Sequence, residues 1–252
     1  RIMAYTTINK GSLYMNTVLN TGDNTSPKSI TGVGFQPDWV WTKTRGNTNN
    51  HTLFDSVRGA GVAKELSSDT TAGEGGVDTT NYGYLSSFDS DGFTATTGAI
   101  GINYYNATGS NYVNWNWKAG GTASTNTDGS IDSQVSVNTT AGFSIATYTA
   151  TSGTSSIGHG LGTTPSMIIL KAIDQTSGWV TGLSVLGWDK YLSLQSTNAF
   201  TTDDRMFSPS GGTDPTSALF WSNQAAIGNA GTMVAYCFAE KKGFSKMGSY
   251  VG

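Results

Sequence analysis

One stretch of this chain occurs twice, and the second occurrence keeps backbone-shaping residues while replacing the chemistry between them. The first reads Gly32-Val-Gly34-Phe-Gln-Pro37-Asp-Trp-Val-Trp-Thr-Lys43 and the second Gly160-Leu-Gly162-Thr-Thr-Pro165-Ser-Met-Ile-Ile-Leu-Lys171. Two glycines, the proline and the lysine recur at an interval of 128 residues. Each half then closes on an apolar strand-like run, Tyr112-Val-Asn-Trp115-Asn-Trp117 and Met233-Val-Ala-Tyr236-Cys-Phe238. An interval this long is too large for a solenoid turn and suits a whole domain.

The recurring signal fits a turn that feeds a strand. Glycine takes a positive φ without steric cost, and proline is tolerated at a strand entry but not inside a central ladder. A dinucleotide-binding glycine motif would need a helix after the glycines, whereas strand-like runs follow both prolines. Apolar runs at Trp39-Val-Trp41 and Met167-Ile-Ile-Leu170, and alternation at Asp91 to Thr96 and Phe143 to Tyr148, extend the strand pattern. The stretch from Leu53 to Leu66 comes closest to a helix. Glycines at 59 and 61 and β-branched Val57 and Val62 argue there for turns between short strands.

The fold predicted is all-β, two tandem antiparallel β-sandwich or jelly-roll domains over residues 1–120 and 121–252. Their boundary falls in the small, polar segment Ala119 to Gly129. Gly142-Phe-Ser returns as Gly243-Phe-Ser, so the last ~10 residues read as a closing strand or the start of a third repeat.

Charged residues are 12% of the chain, about half the usual quarter. With a net charge of −3 and no basic run beyond Lys241-Lys242, no nucleic-acid partner is expected. No apolar stretch approaches the ~20 residues that span a bilayer, so no membrane insertion is expected, and no signal peptide is visible. Cys237 is the single cysteine and reads as a buried thiol.

Several groupings could carry chemistry. Trp39, Trp41, Trp115 and Trp117 stand near Arg45, His51, Asp55 and Arg58 in the first half. Aromatic rings flanked by planar polar groups suit sugars. Core packing is the competing reading, because Trp39 and Trp41 share a strand face, as do Trp115 and Trp117, and their counterparts Met167, Ile169, Tyr236 and Phe238 are apolar. Asp89 and Asp91 of Asp89-Ser-Asp91-Gly92 suggest calcium, but Ile100 stands where an EF-hand would need glutamate, which favours a tight turn and no metal. Two histidines, His51 and His159, and the lack of a GxSxG elbow leave little for nucleophilic catalysis. No motif pairs Asp55, Glu65, Glu74, Asp89 or Asp91 as glycosidase carboxylates. No enzyme and no cofactor is expected.

One resemblance is carried by longer strings. Gly34-Phe-Gln-Pro-Asp-Trp-Val-Trp-Thr-Lys-Thr-Arg45 is followed by Leu53-Phe-Asp-Ser-Val-Arg58-Gly, then Leu66-Ser-Ser, Thr70-Thr-Ala72, Ser87-Phe-Asp-Ser-Asp-Gly-Phe93 and Tyr112-Val-Asn-Trp-Asn-Trp-Lys118-Ala-Gly. Together with the opening Met3-Ala-Tyr-Thr-Thr-Ile-Asn-Lys10, these resemble the repeated β-domains of tail-fibre and virion structural proteins of tailed bacteriophages, of the marine and cyanophage type. The resemblance implies a virion location on the particle surface or tail, partners among other virion proteins, and a homo-oligomer, with a trimer as the first expectation. It implies assembly and host-surface adhesion, with bacterial surface polysaccharide as a possible target. The other readings are a lectin-like carbohydrate-binding module, a capsid decoration protein, or a polysaccharide depolymerase.

Overall fold

The computed structural model describes residues 6–203, 205–208, 214–223 and 231–250. The opening of the Met3 to Lys10 string, Asp204 and the last two residues of the final segment lie outside them. The chain separates into two compact units, Lys10–Gly121 and Thr122–Gly252, and residues 6–9 group with the second rather than the first. No helix of the described residues is long and apolar enough to cross a membrane.

The first unit contains β1 (Met15–Thr21), β2 (Lys28–Thr31), β3 (Trp39–Thr44), β4 (Thr52–Asp55), a four-residue helix α1 (Thr79–Tyr82), β5 (Tyr84–Asp89), β6 (Gly92–Thr96) and β7 (Asn111–Trp117). They form an antiparallel sheet ordered β1-β7-β3-β4 and another ordered β2-β6-β5. Period-two alternation sorts β3 and β4, sending Val40 and Phe54 toward the second sheet. There they meet Ile30, Leu85, Phe93 and Ala95, with Ile102 and Tyr105 closing the core. Fully burying a ring such as Phe93 stabilises by roughly 1.5–3 kcal/mol.

The second unit contains β8 (Ser124–Asn126), β9 (Ser133–Asn138), β10 (Phe143–Thr149), β11 (Thr154–Gly158), β12 (Met167–Ala172), β13 (Val180–Leu183), β14 (Lys190–Tyr191), β15 (Thr201–Thr202), β16 (Leu219–Asn223) and β17 (Thr232–Phe238). Its main sheet runs β13-β12-β17-β10-β9-β8, beside the pairs β11-β16 and β14-β15. The core gathers Ile168 and Leu170 of β12, Ala146 and Tyr148 of β10, Ile157 of β11 and Phe220 of β16. Cys237 is fully buried within it, and burial pushes its thiol up to about 12.

The two main sheets share one plan. The order β1-β7-β3-β4 matches β10-β17-β12-β13, and the register matches as well. Met15, Trp117, Trp39 and Asp55 form a rung across the first sheet, and Phe143, Phe238, Met167 and Leu183 form the same rung across the second. Smaller contacts repeat too. Lys118 N–H donates to Tyr14 O and Ala239 N–H to Gly142 O, both at 2.8 Å. Ser56 N–H donates to Asp38 O at 2.8 Å, and Ser184 N–H to Ser166 O at 2.9 Å.

This plan explains the repeated residues. Gly32 and Gly34 have φ of 86° and 85°, and Gly160 and Gly162 of 70° and 67°, a region that side chains disfavour. The lysines clamp the loop leaving the central strand. Lys43 Nζ donates to Thr44 O at 2.8 Å and Asn47 O at 2.9 Å, and Lys171 Nζ donates to Ala172 O at 2.8 Å and Ser177 O at 2.9 Å.

One expectation holds and one needs amending. The region after Leu53 turns as expected, with Leu53 bridged to Leu66, but a short helix follows at α1. In the final segment Lys241 N–H donates to Ser245 O, Phe244 and Ser245 N–H return to Lys241 O, and Tyr250 is 93% exposed. The described part of that segment is a turn rather than a closing strand, because Gly243 at φ 76° reverses the chain.

Candidate functional site

Alternation places Trp39, Trp41, Trp115 and Trp117 on the face of the β1-β7-β3-β4 sheet turned away from Val40 and the core. Register sets Trp39 opposite Trp117 and Trp41 opposite Trp115. Their rings form one row, with centroids 4.5 Å apart for Trp39 and Trp117, 5.7 Å for Trp39 and Trp41, and 6.1 Å for Trp41 and Trp115. Trp39 is buried at 1% exposure, while Trp41, Trp115 and Trp117 keep part of their surface open.

His51 joins this row. Its ring meets Trp41 edge-on at 5.7 Å, and its Nδ1 accepts the Trp41 indole N–H at 2.7 Å. An accepting Nδ1 fixes the neutral tautomer with hydrogen on Nε2. Burial, with the charge of Lys43 adding to it, lowers the His51 pKa against the opposing pull of Asp69.

Asp55 and Arg58 do not join the tryptophans as sugar contacts, because both are consumed within the fold. Asp55 is fully buried and Arg58 nearly so, with Nε 2.5 Å from Asp55 Oδ2. Asp55 Oδ1 also accepts the N–H of Val57 at 3.2 Å and of Arg58 at 2.9 Å. Arg58 Nη1 donates to Lys64 O and to Glu74 Oε1, each at 2.8 Å, and Glu74 further pairs with Lys64. The network ties the chain after β4 to that strand. Arg45 is separate again: it is exposed beyond the end of β3 and lines a shallow 200 Å³ depression with Leu19, Asn20, Thr21, Asn111 and Tyr112.

Asp89 and Asp91 flank the β5–β6 turn, and protein donors occupy their oxygens. Asp89 accepts the hydroxyls of Ser87 at 2.8 Å and Thr94 at 2.6 Å. Asp91 accepts the N–H groups of Gly32 at 3.1 Å and Gly34 at 2.6 Å, so it caps the glycine loop. In the second unit His159 serves that loop: its Nδ1 accepts Leu161 N–H at 3.1 Å, and its Nε2 lies 3.2 Å from Thr216 O. Among the described residues, no group of three or more His, Cys, Asp or Glu side chains converges as metal ligands.

A cleft absent from the sequence expectations lies in the first unit. Asn49, Tyr82, Asn103 and Tyr104 line a cavity of 350 Å³. The two tyrosine rings are 6.4 Å apart and nearly perpendicular, and Tyr104 N–H donates to Tyr82 O at 3.2 Å. Burial raises the Tyr104 pKa, with Asp78, Glu65 and Asp69 adding to the rise, so its hydroxyl stays a hydrogen-bond donor. Buried Glu65 fixes the neighbouring helix by accepting Val77 N–H at 3.1 Å and the Thr79 hydroxyl. A lining of rings, hydroxyls and amides without charge suits a neutral, hydroxyl-rich ligand. Its residues come from two separated loops and the end of α1, so no local spacing announces it. The one sequence signal is the Asn and Tyr content of Asn103-Tyr-Tyr-Asn106.

Comparison with curated proteins and with solved structures returns no match. A family described as a domain of unknown function, DUF7483, matches residues 10–252, and the chain belongs to that family.

Proposed function

We propose that this chain is a structural component of a bacteriophage virion, a tail-fibre or appendage element that serves assembly and host-surface adhesion. The observation that carries the reading is the duplicated sheet, with one strand order and one register built twice while the side chains on it diverge. Such a chain offers one scaffold twice, with distinct contact surfaces where the side chains differ. The low charge supports adhesion across salt conditions, since screening acts on charges and hardly on neutral hydrogen bonds. The motif strings around Pro37, Arg58, Asp91 and Trp117 supply the link to virion proteins. Immunogold labelling of purified particles with antibody to the chain tests the reading, together with competition of phage adsorption by the purified chain. Labelled appendages and slowed adsorption are expected. Particles that lack the chain would overturn it.

The cleft of Asn49, Tyr82, Asn103 and Tyr104 favours a second reading, a carbohydrate-binding module for neutral bacterial polysaccharide. Titration with neutral oligosaccharides should perturb tyrosine fluorescence, and Tyr104→Ala should abolish the response with the fold intact by circular dichroism. Equal responses from both proteins would remove the cleft from the reading.

A further inference from the structure

The second unit shows what the outer side of the repeated sheet accepts. β10 turns its even-numbered peptide groups to β17, as the bonds from Ala239 N–H to Gly142 O and from Ala150 N–H to Gly231 O mark, and β9 pairs with its other side. β1 occupies the same place. Lys118 N–H donates to Tyr14 O and Gly22 N–H to Ser110 O, so the even positions face β7 and the peptide groups of Met15, Thr17, Leu19 and Thr21 point outward. Among the described residues no strand pairs with that side.

The cause is local. β9 reverses into β10 at Gly142, whose φ is 71°, with Asn138 Oδ1 accepting Ala141 N–H at 3.0 Å. The position 128 residues earlier is Tyr14, at φ −128°, and Gly11–Leu13 forms a 3-10 turn instead of a hairpin. Residues 6–10, which precede Gln134–Asn138 by the same interval, form no strand. The exposed edge also lacks ordinary protection. Met15-Asn-Thr-Val-Leu-Asn-Thr21 has no charge and no proline, and Leu19 is 59% exposed.

We propose that β1 pairs with β1 of a second copy of this chain, antiparallel about a two-fold axis at Val18. A strand presents a self-complementary edge to its own inverted copy, which is what a two-fold interface requires. Only the register centred on Val18 uses all seven residues, setting Thr17 against the partner's Leu19 and Met15 against the partner's Thr21. Thr17 N–H now rests on Asn16 Oδ1 at 3.0 Å, and the partner strand replaces that contact. The product is one continuous sheet through both copies.

Sedimentation of the full chain over a concentration series should show twice the chain mass. Thr17→Pro removes an outward N–H that the β7 ladder does not use, so it should give a monomer with unchanged circular dichroism. Val18→Cys provides a second measurement that does not depend on the proline being tolerated. Residue 18 meets its own copy in a non-hydrogen-bonded pair, about 4.5 Å between Cα atoms, within disulfide reach. Mild oxidation should therefore link two Val18→Cys chains, while buried Cys237 stays unreacted. A monomer at every concentration, a trimer, a dimer that persists in folded Thr17→Pro, or no linkage at position 18 would each overturn the proposal.

Discussion

At the end of β4 the first unit uses charge where the second uses hydrocarbon. Asp55 and Arg58 form a buried ion pair that reaches on to Glu74, and the matching positions at the end of β13 and just beyond it hold Leu183 and Leu186. The glycine loops differ in the same way, with the Asp91 carboxylate serving one and the His159 imidazole the other. What survives between the units is backbone geometry together with one lysine clamp. The ladder therefore depends on dihedral and hydrogen-bond demands, and more than one chemistry satisfies its surroundings.

The largest test of this comparison removes one ion partner. Arg58→Ala leaves Asp55 buried without its cation and should cost the first unit about 3–5 kcal/mol in urea unfolding followed by tryptophan fluorescence. Installing the second unit's solution, Asp55→Leu with Arg58→Leu, should recover much of that loss. A double variant less stable than Arg58→Ala would show that the two ends are not interchangeable.

The lysine clamps come next. Lys171 is buried and Lys43 only partly so, so Lys171→Ala should cost about 1–3 kcal/mol and Lys43→Ala less. Burial lowers the Lys171 pKa from 10.5 to about 8. Between those values the unfolded chain holds a proton that the folded chain has released, so Lys171 makes the second unit more stable as pH rises from about 8, until above about 9 the buried Cys237 thiol, still protonated in the folded chain, offsets the rise. Lys171→Met should flatten that rise.

The smallest effects belong to the glycine loops. Asp91→Ala should cost about 1 kcal/mol for each N–H left to water. His159 gives the second loop a response to acid. Burial lowers its pKa below 6.5, so its stabilisation is complete above that value and is lost as pH falls through the folded pKa. His51 should show the same sign, as protonation at Nδ1 would break its bond from Trp41. Unfolding measured between pH 4 and 7, with His159→Asn as the control, checks the direction.

The scaffold was legible in the sequence where its causes are local. Positive φ at Gly32 and Gly160, strand entry at Pro37 and Pro165, and the tight turn at Asp89 to Gly92 each depend on a few adjacent residues. Asp55 and Arg58 misled because a buried ion pair beside aromatics has the same composition as a sugar site. Their burial and the bonds from Arg58 to Lys64 O and Glu74 distinguish the two. The tryptophan row divided, with Trp39 buried and Trp41, Trp115 and Trp117 partly open on the same face, because period two assigns a face but not what covers it. The Asn49–Tyr104 cleft was invisible, since it depends on how two loops and the end of α1 converge.

Cross-strand nuclear Overhauser contacts test the shared register most directly. A slip of one residue would move every side chain to the opposite face of the sheet, so the assignment is unambiguous. Contacts should join the backbone of Trp41 to Trp115 and, in the second unit, Ile169 to Tyr236. Contacts of Ile169 with Ala235 or Cys237 in place of Tyr236, or a β12 that pairs with β10 instead of β17, would contradict the claim that one ladder is built twice.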